Sequence, residues 1–181
     1  STKNTRCFES NDTCQTGAIY GTPMKKYIFF VVLALFIVAI ASNMSYKQQT
    51  IVPELQTLLA NKPFEEQLSK IHLTYWGMPI SVETRGYFYF VEFLIRKGTH
   101  FVGYGIVALL FYVLYRKLAW NLPALIAILT VFFIASLDEL RQSFIPGRTG
   151  IFSDVILDTA GAICFILLAK IILTYKNRVS T

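Results

Sequence analysis

Four apolar stretches of membrane-spanning length dominate this chain of 181 residues, at about residues 25–45, 98–116, 121–140 and 154–175. A helix crosses the hydrocarbon core of a bilayer with about 20 residues, and each stretch approaches that length. Backbone polar groups inside a bilayer must be bonded to protein, which restricts spanning structures to helices and closed barrels. The composition, 54% hydrophobic and 15% charged, is too apolar for an ordinary soluble domain. The pattern therefore predicts an all-α fold, a small polytopic membrane bundle of four transmembrane helices.

We expect a single domain over residues 24–178. The preceding residues 1–23 are polar and lack the apolar core of a signal peptide, so we expect a tag or a disordered extension there. The one long connection, residues 46–97, has leucines at helical spacing and Pro53 where the start of a helix tolerates proline. These features predict short interfacial helices between the first and second spans, the alternative being an ordinary loop. The apolar stretch 87–95 is expected to form the first turns of the second span or to lie at the interface before it.

The charged residues nearest to the spans fall at boundaries that share one membrane face. A chain changes sides at each crossing, so the start of the second span, the end of the third and the start of the fourth lie together in either orientation. Ionisable groups at the edge of hydrocarbon are costly, so their convergence predicts a functional site. The residues at these three boundaries are Arg96, Lys97, His100, Asp138, Glu139, Arg141, Gln142, Arg148, Asp154 and Asp158.

Basic residues without acidic neighbours indicate the orientation. They flank the other ends of the spans: Lys25, Lys26, Arg116, Lys117, Lys176 and Arg178. The positive-inside rule makes this face cytoplasmic, which places both termini in the cytoplasm and the charged boundaries outside a bacterial plasma membrane. The net charge of +6 favours anionic lipid head groups as partners and not nucleic acid.

Two carboxylates at the start of the fourth span project from one face, because Asp154 and Asp158 are four residues apart. Asp154 is placed either to cap the helix or to act in a site. Asp158 is a full turn deeper, where capping explains little, and it is the stronger site candidate.

The third span ends with Glu139 and Gln142 on a common face, which makes both of them candidates for the site. Asp138 is expected to point elsewhere, toward Arg141 or water. Nothing in the sequence has the spacing of zinc ligands, and we expect no metal and no cofactor.

The second span carries His100 and Tyr104 on one face, with Lys97 one turn earlier. A single histidine in a membrane helix is often a packing residue, but here it shares a membrane face with several carboxylates. Arg148 follows a Pro-Gly turn, and its planar guanidinium suits a carboxylate or a phosphate.

These residues resemble, in order and spacing, the motifs of the VanZ-like family: Arg96-Lys97-x-x-His100-Phe101 with Tyr104, Glu139-x-x-Gln142, Pro146-Gly147-Arg148, and Asp154-x-x-x-Asp158-x-x-Gly161. The resemblance covers about residues 42–175, and the departures are mild, with Asp158 at a position that is often Asn and Thr99 at one that is often Ala. The family takes its name from an accessory protein of glycopeptide resistance associated with teicoplanin. The resemblance therefore implies a role in lowering susceptibility to such antibiotics by analogy only, and it implies no defined reaction.

Three functions are open at this point. The first is a non-enzymatic envelope protein that binds an anionic lipid, a lipid-linked cell-wall precursor or a lipoglycopeptide. Its anion contacts would be Lys97, His100 and Arg148, oriented by Glu139, Asp154 and Asp158. The second is a membrane enzyme acting on a lipid phosphate, with His100 or a carboxylate as nucleophile or base, Arg148 stabilising the charge and the carboxylates as ligands of a divalent cation. The third is an ion-pair network that only fixes the register of the helices.

The motif is expected to converge in three dimensions. We predict that His100, Glu139, Arg148 and Asp158 meet in one polar cluster. Arg148 is expected to make a bidentate contact with Glu139, Asp154 or Asp158.

The orientation can be tested by cysteine labelling in intact cells. Cysteines introduced at Lys62 and Thr149 should react with a thiol reagent that does not cross membranes, because both positions are predicted to lie outside. A cysteine at Lys117 should react only after the cells are permeabilised. Labelling at Lys117 alone in intact cells would reverse the orientation.

Overall fold

The structure, a computed structural model, describes residues 24–43, 50–75, 77–145 and 150–179. Its elements in chain order are α1 (Met24–Asn43), α2 (Val52–Leu58), α3 (Glu65–Ser69), β1 (Leu73–Tyr75), β2 (Met78–Ile80), α4 (Val82–Arg85), α5 (Tyr87–Lys117), α6 (Pro123–Gln142) and α7 (Phe152–Val179). Within these residues, four helices, α1, α5, α6 and α7, are long and apolar enough to cross a membrane. The predicted all-α bundle of four transmembrane helices is confirmed.

The core of the bundle lies between α5, α6 and α7, with α5 and α7 in the most extensive contact. Small residues fill the closest approaches, as lipid-embedded helices require, because packing and not the hydrophobic effect drives their association. Ala108 of α5, Ala135 of α6 and Ala162 of α7 are all fully buried.

Gly161 sets the distance between α5 and α7. A Cβ atom added there would lie 2.2 Å from the carbonyl oxygen of Phe101, so only glycine fits this crossing. Gly103, only two residues from Phe101 on α5, has nothing within 4 Å of an added Cβ atom and faces open space.

Helix α1 packs on the side of this unit, mainly against α5 and over fewer positions against α6. Val31 is buried in the common core, whereas Phe29 and Phe36 are exposed. Exposed apolar side chains of this kind on a membrane-length helix are suited to contact with lipid tails.

The connection between α1 and α5 contains the short helices that were predicted, α2 and α3, with Pro53 in the first turn of α2. It also contains an antiparallel hairpin of β1 and β2, which the sequence analysis did not foresee. Each strand has only three residues, too few for an alternating pattern to be recognised, and Gly77 adopts a positive φ of 73° between them. Helix α5 begins at Tyr87, so residues 87–95 are helical and continuous with the second span.

The Gly161 crossing gives a stability prediction. Gly161→Ala should lower the free energy of unfolding in detergent by about 1–3 kcal/mol, since the added methyl group collides with backbone that cannot move independently. Gly103→Ala is the matched control and should be neutral or stabilising, because alanine favours a helix over glycine where there is room. Equal stabilities of the two variants would contradict the packing described here.

Candidate functional site

The three charged boundaries meet on one face of the bundle. Lys97 of α5 contacts Asp154 of α7, and Tyr104 of α5 donates a hydrogen bond to Asp138 of α6 at 3.2 Å. The shared face that was inferred from the alternation of the spans is therefore present in the structure.

Asp138 is the most connected carboxylate of this face. The hydroxyl of Ser42, near the end of α1, lies 2.6 Å from both of its oxygens. Gln142 Nε2 donates to Asp138 Oδ2 and to Ser42 Oγ, each at 2.8 Å. Arg141 Nη2 adds a bond of 2.8 Å, and the Tyr104 hydroxyl completes the set. One side chain thus joins α1, α5 and α6.

Sequence reasoning missed this central role. It predicted the contact with Arg141 correctly but placed Asp138 away from the site and did not consider Ser42. The signal that was available is the spacing of four between Asp138 and Gln142, which puts both on one face of α6. The contribution of Ser42 depends on how α1 is rotated against the bundle, and a uniformly apolar helix does not reveal its rotation.

Asp154 links the hairpin to the bundle. Its Oδ1 accepts hydrogen bonds from the ammonium of Lys97 and from the hydroxyl of Tyr75 in β1. The same ammonium lies 4.5 Å from the centre of the Tyr75 ring, a cation–π arrangement. Burial raises the pKa of Tyr75 above its ordinary value, and the hydrogen bond to Asp154 and the negative charge of that residue raise it further. The phenol therefore stays protonated and remains a donor.

His100 and Asp158 form the least satisfied pair. Asp158 is 1% exposed, and its Oδ1 lies 3.6 Å from His100 Nδ1, beyond hydrogen-bonding distance. Within the part of the chain that the structure describes, neither atom has a hydrogen-bond partner. The His100 ring stacks on that of Tyr104, with 6.2 Å between the ring centres. A buried carboxylate with incomplete bonding is costly, so this pair is a candidate for contact with a ligand.

Two further buried carboxylates hold elements together. Glu139 Oε2 accepts a bond from the backbone N–H of Ile151 at 2.8 Å, which ties the end of α6 to the start of α7. Glu92 Oε1 accepts from the backbone N–H of Ile51 at 3.0 Å and lies 3.4 Å from Arg96 Nη2. Glu92 was not among the predicted site residues, although it is the one charge that interrupts the stretch 87–95.

The predicted convergence is seen in part. His100 and Asp158 face each other. Glu139, one turn before Gln142 on α6, binds the backbone N–H of Ile151 instead. Arg148 lies outside the described residues, so its bidentate contact stays a prediction. Among residues 24–43, 50–75, 77–145 and 150–179, no group of three or more His, Cys, Asp and Glu side chains could hold a metal ion.

Two cavities open beside these residues. The larger, which we call the groove, has a volume of about 550 Å³ and lies between α1, α5 and the residue that precedes α2. The smaller, which we call the hairpin chamber, has a volume of about 220 Å³ and lies between the hairpin, the start of α5 and the start of α7. Both cavities are lined by Glu92, Arg96 and His100.

The fold and the site together define a class, a small multi-pass α-helical membrane protein with a cluster of ionisable residues where three spans end. The sequence model of the VanZ/LLP1 family matches residues 27–173, most of the chain. The protein therefore belongs to the VanZ/LLP1 family, as its motifs indicate. No curated protein and no solved structure matches it.

The role of Asp138 predicts a large effect on stability. Asp138→Ala should lower the free energy of unfolding by about 2–3 kcal/mol, because the buried donors of Ser42, Tyr104 and Gln142 lose their common acceptor. Glu66→Ala is the control. It removes a carboxylate from an exposed pair with Lys70 and should cost at most about 1 kcal/mol. Thermal unfolding of the purified variants in one detergent gives the comparison, and similar losses in both would refute the central role of Asp138.

Proposed function

We propose that this protein is a multi-pass envelope protein of the bacterial plasma membrane that binds an anionic lipid or a lipid-linked cell-wall group without transforming it. Both termini lie in the cytoplasm in this proposal, and the charged site faces outward. The observation that carries the proposal is the groove, whose lining combines apolar residues of α1 and α5 with charged and polar residues of α5.

The lining of the groove matches the two halves of an amphiphile. Ile37 and Val38 of α1 and Ile95 of α5 form an apolar wall suited to a hydrocarbon tail. Arg96 and His100 line the same cavity and supply polar contacts for a head group. Because these residues lie where membrane helices end, the head group would stay at the level of the other lipid head groups.

The charges near the groove favour an anion as the head group. Arg96 is held by Glu92, and Lys97 is held by Asp154, so both cations are already oriented before a ligand arrives. A planar guanidinium suits a phosphate or a carboxylate, and preorganisation reduces the entropy lost on binding.

Two observations favour binding over a purely structural network. A network that only fixes helix register would leave every buried charge fully bonded and no space beside it. Here the His100–Asp158 pair is incompletely bonded within the described residues, and two cavities adjoin the cluster. The enzymatic alternative has less support, because the described carboxylates are engaged separately and do not gather around one point.

The resemblance to a family named for a glycopeptide-resistance accessory protein supports a glycopeptide as a relevant amphiphile, by analogy. A teicoplanin-type antibiotic carries a lipid tail, so it belongs to the same chemical class of amphiphile as the proposed ligand. We propose that the protein lowers susceptibility to such antibiotics, either by holding a lipid-linked target group or by hindering access of the tailed antibiotic at the outer leaflet.

Filling the groove tests the proposal. Gly103 lines the groove and has open space around it, so Gly103→Leu should occupy the cavity without disturbing the packed core. We expect roughly a tenfold loss of lipid retained in native mass spectrometry, equivalent to ~1.4 kcal/mol of binding. Susceptibility to teicoplanin should rise in cells that depend on this protein.

Gly98→Leu is the matched control. It adds the same side chain to the same helix at a position that also has nothing within 4 Å, but Gly98 lines neither cavity. It should retain lipid and activity. Equal retention of lipid by the two variants would count against the groove as the binding site.

A further inference from the structure

We propose that the hairpin chamber binds a single phosphate group, with Arg85 as its principal contact. The inference rests on the proposed function, since it names the part of the amphiphile that the chamber takes and the residue that selects it. The chamber is a different space from the groove. It lies between the hairpin and the start of α5. Tyr75 connects the hairpin to Asp154 of α7.

The chamber carries an excess of positive charge. Three cations line it, Arg85, Arg96 and Lys97, against the two carboxylates Glu92 and Asp154. Lys97 is paired with Asp154, and Arg96 lies 3.4 Å from Glu92. The guanidinium of Arg85 makes no hydrogen bond and no ion pair with any residue that the structure describes. The unbalanced positive charge is therefore that of Arg85. Because Arg85 is exposed, this charge lies at the open side of the chamber.

The form of the ligand follows from the size of the chamber and the chemistry of its lining. A volume of about 220 Å³ is below the ~300–1,000 Å³ of pockets that hold drug-sized molecules, so a molecule of that size does not fit in the chamber. A phosphate does, and its oxygens match the planar fork of an arginine. The rings of Tyr89 and Phe93 also line the chamber.

The chamber and the groove are placed to hold one molecule between them. Glu92, Arg96 and His100 line both spaces and are spaced four residues apart along a single stripe of α5. A lipid whose tail lies in the groove can therefore place its phosphate across this stripe, within reach of Arg85. The same chamber can also take a free phosphate from solution, and the experiment separates these two sources.

The first arm compares two lipids with identical tails. Phosphatidic acid carries a phosphate and diacylglycerol does not, so the ratio of their retention in native mass spectrometry isolates the contribution of the phosphate. We expect the wild type to prefer phosphatidic acid by about tenfold, the effect of one charge-assisted contact, and Arg85→Gln to lose that preference while binding diacylglycerol normally. Arg85→Lys should keep only part of the preference, because it retains the charge without the fork.

Lys70→Gln is the control for net charge. Lys70 is an exposed cation of the same connection, pairs with Glu66 at 3.2 Å and does not line the chamber. It should leave the preference for phosphatidic acid unchanged. A preference that falls equally in Arg85→Gln and Lys70→Gln would overturn the proposal, because general attraction of anions would then explain it.

The second arm uses inorganic phosphate in solution. If phosphate raises the melting temperature of the wild type but not of Arg85→Gln, and displaces phosphatidic acid, the chamber accepts the free anion. If the lipid preference depends on Arg85 and phosphate does neither, the ligand is the phosphate of a lipid. A preference that survives in Arg85→Gln overturns the inference.

The two proposals fail in distinguishable ways. Loss of both lipids in Gly103→Leu with no role for Arg85 would support the groove and overturn the chamber. Retention of neither lipid by the wild type would overturn the proposed function, and the melting temperature with inorganic phosphate would then decide on the chamber alone.

Discussion

The arrangement of this bundle depends on a carboxylate at the end of the third span. Asp138 accepts hydrogen bonds from Ser42 of α1, Tyr104 of α5, and Gln142 and Arg141 of its own helix. A charge at the edge of hydrocarbon is tolerated only when it is bonded in this way, and in a low dielectric each of these bonds is stronger than in water. Ser42 bonds Asp138 and Gln142 of α6, and it also lines the groove between α1 and α5. The hydrogen bonds of Asp138 therefore help to hold one wall of the groove in place.

Much of the architecture could be read from the sequence. The number of spans and the common face of the charged boundaries follow from length, apolarity and the alternation of sides, and none of these depends on side-chain packing. Six of the residues that were predicted for the site lie close to one another in the structure: Lys97, His100, Tyr104, Gln142, Asp154 and Asp158. Ser42, Asp138 and Glu92 were missed for one physical reason. A helix that is apolar on every face has no periodicity from which to judge its rotation, so the partner that each polar group meets is set by tertiary packing. The hairpin was not predicted because strands of three residues are too short to show an alternating hydrophobic pattern. Their stability comes from tertiary contacts with α5 and Asp154.

The charges of this face divide into two kinds, according to how completely they are bonded. Glu139 and Glu92 bind backbone N–H groups, which joins α6 to the start of α7 and α5 to the residue that precedes α2. His100 and Asp158 bond less completely within the residues that the structure describes, although Asp158 is buried. This distribution is typical of binding sites, in which strain or incomplete bonding is concentrated at a few positions while the surrounding contacts hold them in place.

The length of α5 has a consequence for the membrane itself. The helix has 31 residues, which at ~1.5 Å per residue amount to about 46 Å, against a hydrocarbon core of ~30 Å. About a third of it therefore stands in the head-group region or above, and this segment bears Glu92 and Arg96 and has the hairpin packed against it. The height of the polar residues on such a helix depends on how much of the helix the bilayer covers. In a thicker bilayer it must tilt less or sink further, and either movement changes the height of the polar residues relative to the lipid phosphates. The depth at which these polar residues lie therefore depends on the thickness of the bilayer, which its lipid composition determines.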